Sequence, residues 1–136
     1  MSKLNIQGVH HLALVCRDMQ RTVKFYTEVL GMPLTKGFDL DNGYGQHFFF
    51  DMGNGSELAF FWFGDAPQSQ PGVASAANLV GSGKGTIRSA HGSMNHVAFK
   101  VSPEEIEDYR AELITKGVDC SQIVNHDDVV TGEDAR

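Results

Sequence analysis

The chain has 136 residues, 41% of them hydrophobic and 21% charged, with a formal net charge of −6. That length suits one domain, or one domain built from two small modules, and the apolar share is enough for a core. The acidic balance opposes a nucleic-acid or anionic-membrane surface, and no apolar run approaches the ~18–20 residues of a membrane span.

"GVHHLALVC" (8–16) alternates and is rich in Val and Leu, which predicts a strand. Asp18 then caps a helix over Met19 to Leu30, with Val23, Tyr26 and Leu30 on one stripe and Gly31 as its stop. A short strand is expected around Leu34 to Phe38. "YGQHFFFDM" (44–52) and "SELAFFWF" (56–63) flank "GNG", a β-hairpin whose turn uses residues that tolerate positive φ. Residues 64–93 are rich in Gly, Ser, Ala and Pro without periodicity and read as a linker or mobile loop.

"MNHVAFKV" (94–101) predicts another strand. In the helix that follows, Ser102 is the N-cap, Pro103 the first helical residue, Glu105 the closing member of a capping box and Gly117 the stop. Ile106, Tyr109 and Leu113 form its apolar stripe, and "VDCSQIVNH" (118–126) reads as one more strand. Cys16 and Cys120 have no CxxC spacing, and "MSKLNIQG" lacks a signal-peptide apolar core, so both read as reduced, packed thiols of a cytoplasmic protein.

This order contains a repeat. His11-Leu12-Ala13-Leu14 returns as His96-Val97-Ala98-Phe99, 85 residues later, and the helical stripe returns at an offset of 83. One strand–helix–strands unit is too small to bury its sheet alone, whereas two side by side share a core. Alternation places Val9, His11, Ala13 and Val15 on one side of the first strand. A lone strand-end histidine is ordinarily solvated; the same histidine in both copies points to convergence on one point. Glu57, which opens the second arm of the hairpin and points with Ala59, supplies a carboxylate beside them. Two imidazoles and a carboxylate suit a divalent first-row metal with open positions. His10 is read as the opposite-facing neighbour and no ligand; His47, His91 and His126 have no symmetric partner and read as structural or surface residues.

"HHLALVCRDMQRTVKFYTEVLGM" strongly resembles the first module of the vicinal oxygen chelate superfamily, which includes glyoxalase I, extradiol dioxygenases, fosfomycin resistance enzymes, methylmalonyl-CoA epimerase and bleomycin-binding proteins. "SELAFFWF" and "MNHVAFKV" match its later strands. The resemblance implies an α+β fold of paired βαβββ modules around a metal. It divides 1–136 into a first module (1–63), a loop (64–93) and a partial second module (94–136). By the same resemblance His11, Glu57 and His96 are the metal ligands, holding Zn, Ni, Fe, Mn or Co. The family's further Glu ligand, after a "DP(D/N)G" turn, is absent before Arg136, so either the sequence is a truncated member or water, substrate or a partner chain would complete the site.

"GSGKGT" (81–86) imitates a phosphate loop but lacks its first Gly, since Asn78 stands there, and has Gly85 where Ser or Thr must follow the lysine. The expectation is therefore a metal-dependent enzyme on a small oxygenated substrate. A glyoxalase I-like lyase or isomerase comes first, with Glu57 as the metal-released proton acceptor; an Fe(II) extradiol-type dioxygenase comes second. The third reading is a non-catalytic binder whose pocket is lined by Phe48 to Phe50 and Phe60 to Phe63. The open edge of an incomplete second module predicts a homodimer.

Overall fold

The computed structural model of the protein describes residues 4–68, 74, 75, 88, 89, 94 and 96–123. They fall in two compact units, Met1–Gln68 and Ser69–Arg136. The segment 81–86, His91, His126 and the acidic tail from residue 127 lie outside the described residues.

The first unit is a four-stranded sheet, β1 (His11–Cys16), β2 (Leu34–Asp39), β3 (Gly45–Asp51) and β4 (Glu57–Phe63), in the order β1-β4-β3-β2. β1 runs parallel to β4; the other pairings are antiparallel. The parallel pair needs a crossover, and helix α1 (Met19–Lys24) begins it. The Asp18 carboxylate accepts from the Arg21 backbone N–H at 3.0 Å, which caps the helix as expected. The helix differs from the expected 19–30 in one respect: Phe25–Val29 form a π-helical turn. That wider turn lays Tyr26 over Phe50 and Phe60, with ring centroids 5.5 and 5.0 Å away. Gly31 ends it at φ +71°, a conformation that favours glycine.

Met19, Phe50, Leu58 and Phe60 are the buried centre, and Leu12, Leu14, Cys16, Val23, Tyr26, Phe48 and Trp62 pack around them. Each such side chain fully removed from water stabilises the fold by ~1.5–3 kcal/mol. Strand alternation therefore gives this face of the sheet to the helix and leaves His11, Ala13 and Val15 on the other. At the hairpin tip Gly53, Asn54 and Gly55 all have positive φ, and the Asp51 carboxylate accepts from the Gly53 N–H at 2.8 Å.

In the second unit, the stretch expected to be wholly irregular carries a small antiparallel ladder, β5 (Ala74–Ser75) with β6 (Arg88–Ser89). Of the strand expected at 94–101, the described residues 94 and 96–101 lie in no strand. A strand exists only through its ladder, and among the described residues none pairs with this segment. Residues 118–123 are likewise no strand. The second helix starts with a 3-10 turn, Pro103–Glu105, and continues as α2 (Ile106–Thr115). Ser102 makes no side-chain cap bond, so the capping box is not formed; the Ser102 carbonyl instead accepts from the Glu105 N–H at 3.0 Å. At the other end Gly117, with φ +85°, donates to the Ile114 carbonyl and Val118 to that of Leu113, the paired bonds of a Schellman stop. Ile106 and Tyr109 of the apolar stripe are exposed. Among the described residues no helix is long and apolar enough to cross a membrane. Both cysteines are free and half-buried.

Candidate metal centre

On the sheet face turned away from α1, the register builds three rows. The first is His11, Glu57 and Asp51; the second is Ala13, Ala59, Phe49 and Lys36; the third is Val15, Phe61, His47 and Phe38. Adjacent strands are ~4.8 Å apart and successive rows ~6.6–6.8 Å apart. His11 and Glu57, separated by 45 intervening residues, are thus immediate neighbours with side chains on one face.

Local bonds fix that register. The Glu57 N–H donates to the His10 carbonyl at 3.1 Å, and the Ser56 hydroxyl donates to the Val9 carbonyl. The two carboxylates of the first row are disposed differently. Asp51, opposite Glu57, is turned into its own hairpin by the bond to Gly53, whereas the Glu57 Oε2 accepts from the Thr35 hydroxyl. His11 is exposed, with its Nδ1 2.8 Å from the Nδ1 of His10 and its ring edge-on to Phe49 at 5.8 Å. His10 is therefore not the opposite-facing residue expected from alternation: it precedes β1, where the pleat does not govern it, and its ring turns to its neighbour.

Of the three predicted donors, the structure brings His11 and Glu57 together. His96 lies in the second unit, exposed and outside any strand. Among the described residues no three His, Cys, Asp or Glu side chains form a metal-holding group. The pair nonetheless fits a cation in donor chemistry: an imidazole and a carboxylate side by side, each with a hydrogen-bonded neighbour of the kind that orients ligands.

The rest of the face is aromatic. His47 is 8% exposed and stacks on Phe61, centroids 3.6 Å apart, with Phe49 at 4.3 Å and Phe38 edge-on at 5.5 Å. Among the described residues its Nε2 has no hydrogen-bond partner. Burial pushes its pKa below the ordinary histidine value, and the positive charges of His11 and Lys36 act in the same direction. Lys36 holds its ammonium 4.3 Å over the Phe49 ring. Of the aromatics expected to line a pocket, alternation sends Phe50 and Phe60 into the core, while Phe49, Phe61 and Phe63 face this side. Thr35, Lys36 and His47 were not singled out as site residues by sequence; the one available signal was the position of His47 within "QHFFF", at the same parity as Phe49.

The model of the Glyoxalase/Bleomycin resistance protein/Dioxygenase superfamily matches residues 8–133. MhqE of Bacillus subtilis (strain 168), which carries the provisional name of a ring-cleaving dioxygenase, is 30% identical over 125 residues, 88% of this chain. The chain spans about a third of that relative's length, 35%. Among solved structures, the glyoxalase family protein from Enterococcus faecalis superposes with a TM-score of 0.66 at 23% identity, covering 93% of this chain and 85% of that one. The fosfomycin resistance protein FosX from Listeria monocytogenes, a mutant form complexed with Mn(II) and 1S,2S-dihydroxypropylphosphonic acid, superposes with a TM-score of 0.57 at 18% identity, covering 88% and 77%. These two establish likeness of fold. With its β1-β4-β3-β2 sheet and a family match running through nearly all its length, the chain belongs to the Glyoxalase/Bleomycin resistance protein/Dioxygenase superfamily.

Proposed function

We propose that the protein is a metal-dependent enzyme acting on a small oxygenated aromatic molecule, with His11, Glu57 and His96 as donors to one divalent cation. The observation that carries this reading is the in-register placement of His11 beside Glu57 on the face opposite the core. When bound, a cation of the Zn, Ni, Fe, Mn or Co type supplies a Lewis acid that holds two neighbouring substrate oxygens and offsets negative charge developing on them.

The remaining side chains favour a planar substrate. On the same face Phe49 lies one row from the donor pair and Phe61 and Phe38 two rows away, and Lys36 places a positive charge over Phe49. That aromatic wall, together with the likeness to MhqE, supports an Fe(II) extradiol-type dioxygenase ahead of the glyoxalase I-like lyase or isomerase that the sequence put first. The lyase or isomerase stands second, with Glu57 as proton acceptor. We read residues 1–63 and 94–136 as a first and a partial second module of one domain, the protein as cytoplasmic, and its assembly as a homodimer; a stable monomer at micromolar concentration in sedimentation would refute the last.

Elemental analysis of the purified protein is the test. The expected result is one bound metal per chain, lost in His11→Ala, Glu57→Gln and His96→Ala, with oxygen uptake when the Fe(II)-loaded protein meets a catechol or hydroquinone. Turnover of a hemithioacetal without oxygen uptake would select the lyase. A metal-free protein that still binds aromatic ligands would leave the sequestering binder and end both enzymatic readings.

A further inference from the structure

The register of β2 against β3 is broken between Leu34 and Lys36: Leu34 pairs with Phe50 and Lys36 with Phe49, leaving Thr35 without a partner in the ladder. Here the Thr35 hydroxyl lies over β3, the strand between, and meets the Glu57 side chain that extends from β4. It lies 2.5 Å from Glu57 Oε2 and 3.2 Å from the Phe49 carbonyl oxygen. A hydroxyl has one proton to give, and the nearer acceptor is the carboxylate, which takes the stronger bond when ionised.

We propose that Thr35 is a positioning residue that holds the Glu57 carboxylate for metal binding through the hydrogen bond from its hydroxyl. The inference rests on reading Glu57 as a metal donor. Three features favour it over an incidental contact. Glu57 lies in a row whose other carboxylate, Asp51, is tied to the hairpin turn, so Thr35 is the neighbour that fixes Glu57. The bond engages Oε2 and leaves Oε1, on the same residue, for the cation. And alternation from Leu34, whose ladder partner Phe50 lies in the core, puts Thr35 on the face of Phe49 and Glu57, where its hydroxyl also lies within reach of the Phe49 carbonyl. Thr35 acts through Glu57 and not on the substrate.

The test compares Thr35→Val, which keeps the shape and removes the donor, with Thr35→Ser, which restores it. Binding of Mn(II) is followed by loss of the free ion's paramagnetic resonance signal, and melting temperatures are recorded alongside. Thr35→Val is expected to weaken Mn(II) about tenfold or more, the usual loss for a partner that orients a ligand, with Thr35→Ser near wild type and all melting temperatures of the metal-free proteins close together. Crystal structures of the metal-free wild type and Thr35→Val are expected to show Glu57 in one rotamer in the first and displaced in the second. Equal Mn(II) affinity for the two, or one Glu57 rotamer in both structures, overturns the positioning role. If Glu57→Gln binds Mn(II) as wild type does, the donor reading itself has failed, and the inference goes with it.

Discussion

Replacing His47 by phenylalanine should stabilise the protein, although it removes a residue from the middle of the sheet. The imidazole is 8% exposed and its Nε2 meets no partner among the described residues, so the folded state carries the desolvation cost of an unpaired polar atom. That cost is ~1–3 kcal/mol. A phenyl ring keeps the stack on Phe61 and the edge contact with Phe38, which is 47% exposed and free to yield to the slightly larger ring. With a urea slope of ~1.5–2 kcal/mol/M for a chain of this size, a gain of ~2 kcal/mol moves the midpoint up by ~1 M. The gain also depends on pH, with a definite sign. The folded imidazole has its pKa lowered by burial and by the charges of His11 and Lys36, so the unfolded chain takes up a proton that the folded one refuses. Wild-type stability therefore falls as pH drops through about 6.5, and the variant lacks this loss. The histidines other than His11, whose charge acts on His47, are common to both proteins and cancel in the difference. Trp62, the one tryptophan, lies in β4 and reports on this unit by fluorescence. Urea titrations at pH 7.5 and 5.5 should show the variant ahead at both and further ahead at the lower pH. A variant less stable at pH 7.5, or an advantage of equal size at both, would refute the reasoning.

A Cβ on Gly45 would stand 1.9 Å from the Trp62 carbonyl oxygen, a backbone atom of the neighbouring strand. Gly45→Ala should therefore cost ~2 kcal/mol or more by forcing the strands apart, and a melting temperature within a degree of wild type would contradict it. Asp18→Ala removes the bond to Arg21 and should cost ~1 kcal/mol, read from the midpoint of urea unfolding, with Asp18→Asn recovering most of it. Exhaustive dialysis against a chelator should lower the melting temperature of the metal-loaded protein, because a ligand bound only to the folded state stabilises it; an unchanged transition would argue against bound metal.

What was legible in the sequence was local. Asp18 as cap, Gly31 and Gly117 as stops, and "GNG" as a hairpin tip each depend on a few contiguous residues and their φ preferences, and the structure has all of them. The alternation that sends Leu12 and Leu14 one way and His11 the other was equally visible, because it follows from the pleat alone. Pairing was not visible in the same way. "MNHVAFKV" has the composition of a strand, yet a strand needs a neighbour, and composition does not supply one. Ser102 and Glu105 have the spacing of a capping box, but a 3-10 turn takes the backbone bond first. The contact of Thr35 with Glu57 spans an intervening strand, which no periodicity announces, and the turn of His10 toward His11 depends on where β1 begins. His11 and Glu57 were named from the repeat and the family likeness; that they are cross-strand neighbours could come only from the topology.

The parallel pairing of β1 with β4 ties two outcomes to a single alignment. Sliding β1 by one position would swing Leu12, Leu14 and Cys16 out into water and drive the His11 imidazole against the rings of the interior. A deletion of one amino acid within "HLALVC" would therefore cost stability and the donor pair in the same stroke, and neither could be repaired by restoring the other side chains one at a time. Packing of the hydrophobic layer thus acts as proofreader for the chemistry on the reverse side.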